Sequence, residues 1–336
     1  MATQEPSVRA GDATARVVIR GAGSIGRRHA DVFARTGAAV GLWPVRAQAA
    51  DATSPAGIEL LDDTTGPAAM ASADLAVIAT TTSRHVADAT TALDAGSRRI
   101  LVEKPVAVDL ADAEPLRDHA RADHVWVAAP LRAYAGFRHL ASLVPELGTP
   151  VSAHVWSQSW LPDWRPQQDH RQSYSARMSE GGPLRDLVHE LDYVEQLLGE
   201  PKLIGARLEH GGPLDIEAEQ AATLLWSTAT ATITCRLDYV TRPSSRGIVL
   251  RSPSGSVEWD VLLGRVVHRH GDGLADERVF AEDLDRDATM LTQARAALEL
   301  SPTSDPSSRR AAGAPATLAD GCSVLALCDQ ARGAGT

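Results

Sequence analysis

The amino-acid sequence predicts a two-domain α/β protein with a parallel sheet in the first domain and a mostly antiparallel sheet in the second. Three observations carry this prediction. The 336 residues exceed what one hydrophobic core usually serves. An apolar run near the start leads into G-x-G-x-x-G and then a helical pattern, the order of a dinucleotide-binding unit. Beyond residue 202 the chain consists of short alternating strands. We therefore expect a Rossmann dinucleotide-binding domain over residues 16–130 and a substrate-binding and oligomerisation α+β domain over residues 131–333.

Composition excludes several classes of partner. The net charge of -10 and the pI of about 5.5 argue against nucleic acid and against a membrane surface. The three cysteines are odd in number and lack metal-ligand spacing, so we expect reduced thiols in a cytoplasmic protein and no metal site. Residues 1–15 are small and polar and have no signal-peptide core, which predicts a disordered tail.

The glycine-rich turn has a physical reason for each glycine. Gly21 allows the tight turn, Gly23 lets the backbone approach a pyrophosphate, and Gly26 lets the helix pack on the strand. Ser24 and Ile25 begin the helix, where free N–H groups bind anions. The alternative is a strand-to-helix turn without a ligand.

The second strand, predicted over residues 38–43, ends without the acid that holds the ribose in NAD-binding units. The chain reads W-P-V-R here, and Arg46 could instead meet a 2′-phosphate. This favours NADP slightly over NAD. The alternative is that Arg46 is only a solvated loop residue.

Two further buried strands, predicted over residues 74–80 and 99–102, end in polar segments. Ligands bind at the carboxyl ends of strands in such sheets. The candidate cofactor contacts at these ends are Thr80, His85, Glu103 and Lys104. A strand-end lysine can also be an ordinary surface charge.

A polar, aromatic segment follows the strand predicted over residues 151–157. Aromatic faces and fixed donors suit a polyhydroxylated or anionic small molecule. The candidate substrate contacts in it are Trp160, Asp163, Trp164, Arg165, Arg171 and Tyr174. The alternative is a loop that its own ion pairs hold in place.

One helix is predicted from G-G-P at residues 181–183 to about residue 198. Its periodicity buries Leu187, Leu191, Val194 and Leu198 on one face and presents Asp186, His189, Glu190 and Tyr193 to a cleft. His189 stands three residues after Asp186, which can orient its ring, so His189 is a candidate acid/base that also contacts substrate. A structural histidine is the alternative.

The remaining chain predicts strands, then helices. The strands are expected over residues 203–209, 218–226, 230–239, 246–251, 256–262 and 266–269, and the helices over residues 289–300 and 318–332.

Four ordered motifs, G-A-G-S-I-G-R-R-H, T-T-S-R-H, E-K-P and G-G-P-L-R-D-L-V-H-E-L-D, resemble the Gfo/Idh/MocA family of sugar and cyclitol oxidoreductases over roughly residues 16–260. The resemblance implies that Lys104 is the active-site lysine near the nicotinamide and that Pro105 follows a cis bond. It also implies a dimer built on the exposed face of the second sheet. L-P-D-W-R-P and R-x-S-Y-S-A resemble a branch linked to nine-carbon or other unusual sugars.

The chain departs from the family at two places. Many relatives have Y-N-x-R where this chain has A-P-L-R, so only Arg132 remains as a substrate contact. The better-known pattern sets Asp four residues before His, whereas Arg185 stands there and Asp186 is three before. The role of His189 therefore carries over more directly than that of Asp186.

The sequence predicts an NAD(P)-dependent oxidoreductase that transfers hydride between nicotinamide and a secondary alcohol or ketone of a sugar, nucleotide sugar or cyclitol. Lys104, His189 and Asp186 are the expected catalytic residues, and a homodimer or homotetramer is the expected assembly. Two alternatives remain open. One is redox-neutral NAD-dependent epimerisation or hydrolysis; the other is a catalytically silent protein that binds a cofactor or a partner.

Overall fold

A computed structural model describes residues 14–46 and 57–334. The tail predicted over residues 1–15 therefore lies almost wholly outside the described residues. So do residues 47–56, which directly follow Arg46. No helix within the described ranges combines the length and apolarity needed to cross a bilayer.

The first sheet is a doubly wound parallel sheet, as predicted. Its strands are β1 (Arg16–Arg20), β2 (Ala39–Trp43), β3 (Ile58–Leu60), β4 (Leu75–Ile78), β5 (Ile100–Val102) and β6 (Val125–Val127). The connecting helices are α1 (Ser24–Ala34), α2 (Gly66–Ala71), α3 (His85–Ala95) and α4 (Glu114–Arg117). The spatial order β6-β5-β4-β1-β2-β3 is that of a Rossmann fold. Strand order therefore reverses between β1 and β4, and their carboxyl ends flank the ligand crevice.

The second sheet has eight strands and is mostly antiparallel, which confirms the predicted fold class. Its elements are α5 (Ala135–Leu147), β7 (Val151–Trp160), α6 (Pro183–Asp186), α7 (His189–Leu198), β8 (Lys202–Glu209), β9 (Ala221–Ser227), β10 (Ala231–Asp238), β11 (Val240–Ser252), β12 (Gly255–Asp260), β13 (Arg265–His270) and β14 (Gly273–Val279). The order is β14-β13-β12-β11-β7-β10-β9-β8, and only β7 and β10 pair in parallel.

The two faces of this sheet differ in environment. On β10, Ile233, Cys235 and Leu237 point into the core shared with α5 and α7, whereas Thr232 and Thr234 are exposed on the opposite face. That outer face is thus an open, largely polar surface.

The C-terminal segment returns to the first domain. It comprises α8 (Arg286–Glu299), α9 (Pro306–Ala312), β15 (Ala316–Thr317) and α10 (Leu318–Ala334). β15 pairs antiparallel with β6, and Ala294 and Ala297 of α8 share a core with Trp126. Residues from α8 to β15 therefore pack with the first sheet, although the sequence placed them in the second domain. Their alanine-rich faces fit closely against α1 but give no sequence signal for one domain over the other.

The prediction of a single helix from residue 181 to residue 198 is wrong. It is two helices, α6 and α7, separated by Leu187 and Val188. α6 packs against β9 and β10, whereas α7 packs against β7, so one straight helix would not satisfy both. The break places Asp186 at the end of one helix and His189 at the start of the next.

Candidate active site

The turn between β1 and α1 forms a close-packed cradle. Gly21 has φ +108°, and a Cβ there would overlap the carbonyl of Ala79. A Cβ on Gly26 would overlap the carbonyl of Gly21, whereas Gly23 faces open space. Ser24 and Ile25 are exposed at the start of α1, where the first N–H groups lack intrahelical partners. This geometry fits the pyrophosphate of a dinucleotide.

A second feature of the crevice supports the same fit. The hydroxyl of Thr80, two residues beyond β4, is buried and has no hydrogen-bond partner among the described residues. Buried polar atoms are normally paired, so an unpaired one at a ligand crevice indicates a missing polar partner. A bound dinucleotide would supply one.

His85 does not reach the crevice, which corrects its predicted role as a cofactor contact. Its imidazole is buried, with Nδ1 2.8 Å from the carbonyl oxygen of Pro105 and Nε2 3.2 Å from that of Thr80. Burial lowers the pKa of His85. The ring thus ties the E-K-P loop to the end of β4, and the Lys104–Pro105 bond is cis, as expected.

The carboxylate of Glu103 is bound by a histidine of the first domain, and its contact with a cofactor stays a prediction. Its Oε1 lies 2.6 Å from Nε2 of His29 on α1. Burial would raise the pKa of Glu103, but the hydrogen bond and charge of His29, with Lys104, hold that pKa below its usual value. The pair joins α1 to the end of β5.

Lys104 is held by Asp186 across the two domains. Its Nζ donates to the backbone carbonyl of Asp186 at 2.9 Å and lies 3.6 Å from the carboxylate Oδ1. Oδ2 accepts hydrogen bonds from the hydroxyls of Ser175 and Tyr239, each at 2.6 Å. Asp186 makes no hydrogen bond to His189 among the described residues, so its predicted role in orienting that ring is corrected. It positions the lysine instead.

His189 and Lys104 line the same cavity. Its other lining residues include Pro105, Val127, Ala128, Val188, Asp192 and Val324. Burial lowers the pKa of His189 well below its usual value, and the charges of Lys104, Arg246 and Arg286 add to the effect. The imidazole is therefore neutral near pH 7.

Two of the four residues that were predicted to face the cleft, Glu190 and Tyr193, are buried inside the protein instead. Glu190 is fully buried and accepts from Arg246 at 2.5 and 3.0 Å. Tyr193 is fully buried against Phe137 and Trp259. Both residues belong to the interior, whereas His189 at the first position of α7 lines the cavity.

Arg132 is not available to a substrate, which corrects its assignment. It is 6% exposed, and its Nε and Nη2 donate to Asp192 at 2.8 and 2.7 Å. Its Nη1 donates to Asp320 at 2.9 Å. Burial alone would lower the pKa of Arg132, but the two carboxylates raise it. Arg132 bridges α7 and α10.

The polar segment after β7 divides into two groups of residues. Asp163 pairs with Arg242 at 2.6 Å, and that guanidinium lies 4.9 Å above the ring of Trp160. Arg171 pairs with Asp169 at 2.9 Å on the surface. Only the second pair lies within the loop, as the alternative of a self-held loop expects, whereas the first pair ties the loop to β11.

The other group lines a second cavity, beside the first site. Trp164, Arg165 and Tyr174 line it together with Ser175, whose hydroxyl is bonded to Asp186. Trp164 packs edge-on against Tyr239 at 5.4 Å between centroids. Burial and the charge of Asp186 raise the pKa of Tyr174.

Sequence reasoning missed Ser175, Tyr239 and His29 as parts of the site. Ser175 lies within the quoted R-x-S-Y-S-A motif, so that motif was a usable signal. Tyr239 ends an alternating strand and carries no local signal. Arg46 is exposed and makes no side-chain hydrogen bond or ion pair within the described ranges.

Fold and site define a two-domain oxidoreductase that binds a nicotinamide dinucleotide. Residues 15–129 match the Gfo/Idh/MocA description "Oxidoreductase family, NAD-binding Rossmann fold", and residues 137–257 match the C-terminal domain of the same family. The chain belongs to the Gfo/Idh/MocA family, as the motifs predicted.

Solved structures show the same fold at low sequence identity. Levoglucosan dehydrogenase in complex with NADH is 17% identical, with a TM-score of 0.80 and coverage of 96% of this chain and 97% of that one. UDP-N-acetylglucosamine 3-dehydrogenase from Acidithiobacillus ferrooxidans is 21% identical, with a TM-score of 0.72 and coverage of 96% and 98%. An Agrobacterium radiobacter oxidoreductase in complex with NAD+, L-tartaric acid and magnesium is 18% identical, with a TM-score of 0.75 and coverage of 96% of both chains. No curated protein matches the chain significantly.

Proposed function

We propose that the protein transfers hydride between a nicotinamide cofactor and a secondary alcohol or ketone of a sugar, nucleotide sugar or cyclitol. One observation carries the proposal. Lys104 from the first domain and His189 from the second line one cavity, beside the crevice of a dinucleotide-binding sheet. A proton-transfer group and a cation are what the oxidation of an alcohol needs besides the hydride acceptor.

Each residue has a distinct part in this reaction. The bound cofactor supplies the hydride chemistry. Neutral His189 accepts the hydroxyl proton during oxidation and returns it during reduction, because an uncharged imidazole has a free nitrogen lone pair. Lys104 donates a hydrogen bond to the same oxygen, and Asp186 fixes the ammonium for that purpose.

The second cavity supports the proposed substrate class. Trp164 and Tyr174 are 40% and 38% exposed, and Arg165 lines the same wall. Partly exposed aromatic faces beside donors suit a polyhydroxylated molecule. The names of the two dehydrogenases among the structural neighbours also state sugar substrates.

The cofactor and assembly are proposed as follows. The domain binds a nicotinamide dinucleotide, and we propose that NADP binds more tightly than NAD, with Arg46 near the 2′ position. We further propose a cytoplasmic homodimer or homotetramer in which the outer face of the second sheet meets its copy.

The function is tested with Lys104→Ala and His189→Ala. Both variants should retain cofactor affinity, measured by nicotinamide fluorescence, and should lose turnover about a hundredfold or more across a sugar panel. Exposed Lys202→Ala and His210→Ala are the matched controls and should change neither quantity. Unmutated rates in both catalytic-site variants, or no binding of either cofactor, would show that the proposal is wrong.

A further inference from the structure

The end of β2 presents an unusual surface where NAD-binding units carry their ribose acid. Trp43 occupies that end. One face of its ring lies against α2, because a Cβ on Gly66 would overlap the ring. The guanidinium carbon of Arg20 lies 3.9 Å from the ring centroid. The indole is thus held between a helix and a cation.

Arg20 keeps unused donors at this position. Its Nη1 donates to the carbonyl of Pro44 at 2.7 Å, and its side chain makes no other hydrogen bond to the described residues. Burial lowers the pKa of Arg20, with Asp88 and Asp63 acting in the opposite direction and Arg84 adding to the lowering. A guanidinium stays protonated at neutral pH despite such effects.

The other cations beside the turn already have partners. Arg27 donates from its Nε to the carbonyl of Ala22 at 3.0 Å, within the turn itself. Arg84 is already paired with Asp88 at 2.9 Å, and Asp63 accepts the indole N–H of Trp43 at 3.0 Å. Arg20 directly precedes Gly21, so its backbone is part of the turn that cradles the pyrophosphate. A planar guanidinium with two free nitrogens suits a phosphate monoester better than a ribose diol, which a carboxylate binds.

We propose that Arg20, stacked on Trp43, binds the 2′-phosphate of NADP beside Arg46 and makes the larger contribution to cofactor choice. This rests on the proposed function, which requires a nicotinamide dinucleotide in the crevice. It goes beyond that function because the sequence pointed to Arg46 alone. Arg20 precedes the glycine motif, outside the loop where such arginines are usually sought.

The test uses 2′,5′-ADP and 5′-ADP as calorimetric probes, alongside NADPH and NADH. The unmutated protein should bind 2′,5′-ADP at least tenfold more tightly than 5′-ADP. Arg20→Met keeps an apolar stem on Trp43 and should weaken 2′,5′-ADP by about 10- to 100-fold, the worth of a charge-assisted contact. Its affinity for 5′-ADP should stay within about twofold. Arg16→Met, at the exposed start of β1, is the matched control and should change neither affinity.

The outcomes separate the inference from the function. Binding of all four ligands without a preference for the 2′-phosphate, or equal losses for both probes in Arg20→Met, would overturn the inference alone. The inference would also be overturned if Arg46→Ala removed the preference for 2′,5′-ADP over 5′-ADP while Arg20→Met left that preference intact. Binding of none of them would overturn the proposed function as well. If Arg20→Met does not fold, Arg20→Lys replaces it: loss of the planar fork should weaken 2′,5′-ADP at least threefold, and an unchanged affinity would refute the assignment.

Discussion

Two buried tyrosines of the second domain differ in whether their hydroxyl groups have a hydrogen-bond partner. The hydroxyl of one binds the buried carboxylate of Asp186, and the hydroxyl of the other has no partner among the described residues. Tyr239 donates to Asp186 at 2.6 Å, whereas the buried hydroxyl of Tyr193 has no partner among the described residues. Removing a donor to a charged group costs about 1.5–3 kcal/mol, but removing an unpaired buried hydroxyl removes a penalty. Tyr239→Phe should therefore lower the free energy of unfolding by about that amount, while Tyr193→Phe leaves it unchanged or raises it.

Denaturant unfolding of both variants, at constant m-value, measures the two changes. Equal losses in the two variants would mean that ring packing, not the hydrogen bond to Asp186, decides the cost. In turnover assays Tyr239→Phe should also lower kcat more than it raises KM, since it acts on Lys104 through Asp186.

The sequence indicated where a site residue lies when its position in the chain placed it at the cleft. It did not do so when the residue's location depends on hydrogen-bond partners far away in the sequence. Lys104 and His189 could be paired from sequence because one follows a buried strand of the first domain and the other lies on a helix of the second, so they could converge only between the domains. Arg132 and His85 could not, since nothing near them in sequence shows that Asp192, Asp320 or the carbonyl of Pro105 would occupy them. A local sequence pattern does not reveal hydrogen-bond partners that lie far away along the chain.

Between α7 and α10, Glu195 is an unfavourably placed carboxylate. Burial and the charges of Asp320 and Asp192 raise its pKa to about 7, and its Oε2 has no hydrogen-bond partner within the described part of the chain. The folded protein holds a proton that the unfolded chain releases between the usual glutamate pKa and about 7, so stability falls as pH rises through that window. At pH 8 the charge opposes folding in full.

Glu195→Gln should therefore raise Tm at pH 8, by roughly 1–3 °C, and change it little near pH 4.5. Thermal melts at both pH values measure this difference. Glu200→Gln, exposed just beyond α7, is the matched control and should behave like the unmutated protein at both. A gain of the same size at both pH values would contradict the pKa argument.

Elements with strong periodicity were predicted almost to their ends, and those that depend on tertiary pairing were not. Eight strands appear within a few residues of their predicted bounds: β2, β4, β5, β8, β9, β10, β12 and β13. β3 was not predicted, and β11 begins at Val240 rather than at the predicted residue 246. β14 was missed because L-A-D-E-R-V shows no alternation, and its pairing with β13 is what makes it a strand. The two residues of β15 are too short for any pattern and exist only because β6 offers an open edge.

At the scale of the whole molecule, the outer face of the eight-stranded sheet is the expected contact between copies. His154 and Thr234 face each other across β7 and β10 at 3.0 Å on this open surface. A large flat face buried by a twofold axis would make an isologous interface. Light scattering at micromolar concentration should give a dimer or tetramer.

Thr234→Arg should reduce that assembly, because twofold symmetry brings like charges together. Thr303→Arg, exposed in the loop before α9, should leave the assembly intact. A monomer in the unmutated protein would exclude this face as a contact between copies.

The pairing of β15 with β6 also bears on the order in which the protein can be made. Synthesis proceeds from the N-terminus, and domains usually fold as they emerge. Here the ribosome completes the whole eight-stranded sheet before it delivers Ala316 and Thr317, the last strand of the first sheet. The first sheet therefore lacks its last strand, and Trp126 lacks its contact with α8, until the second domain has been synthesised. The second domain is inserted between two parts of the first along the chain.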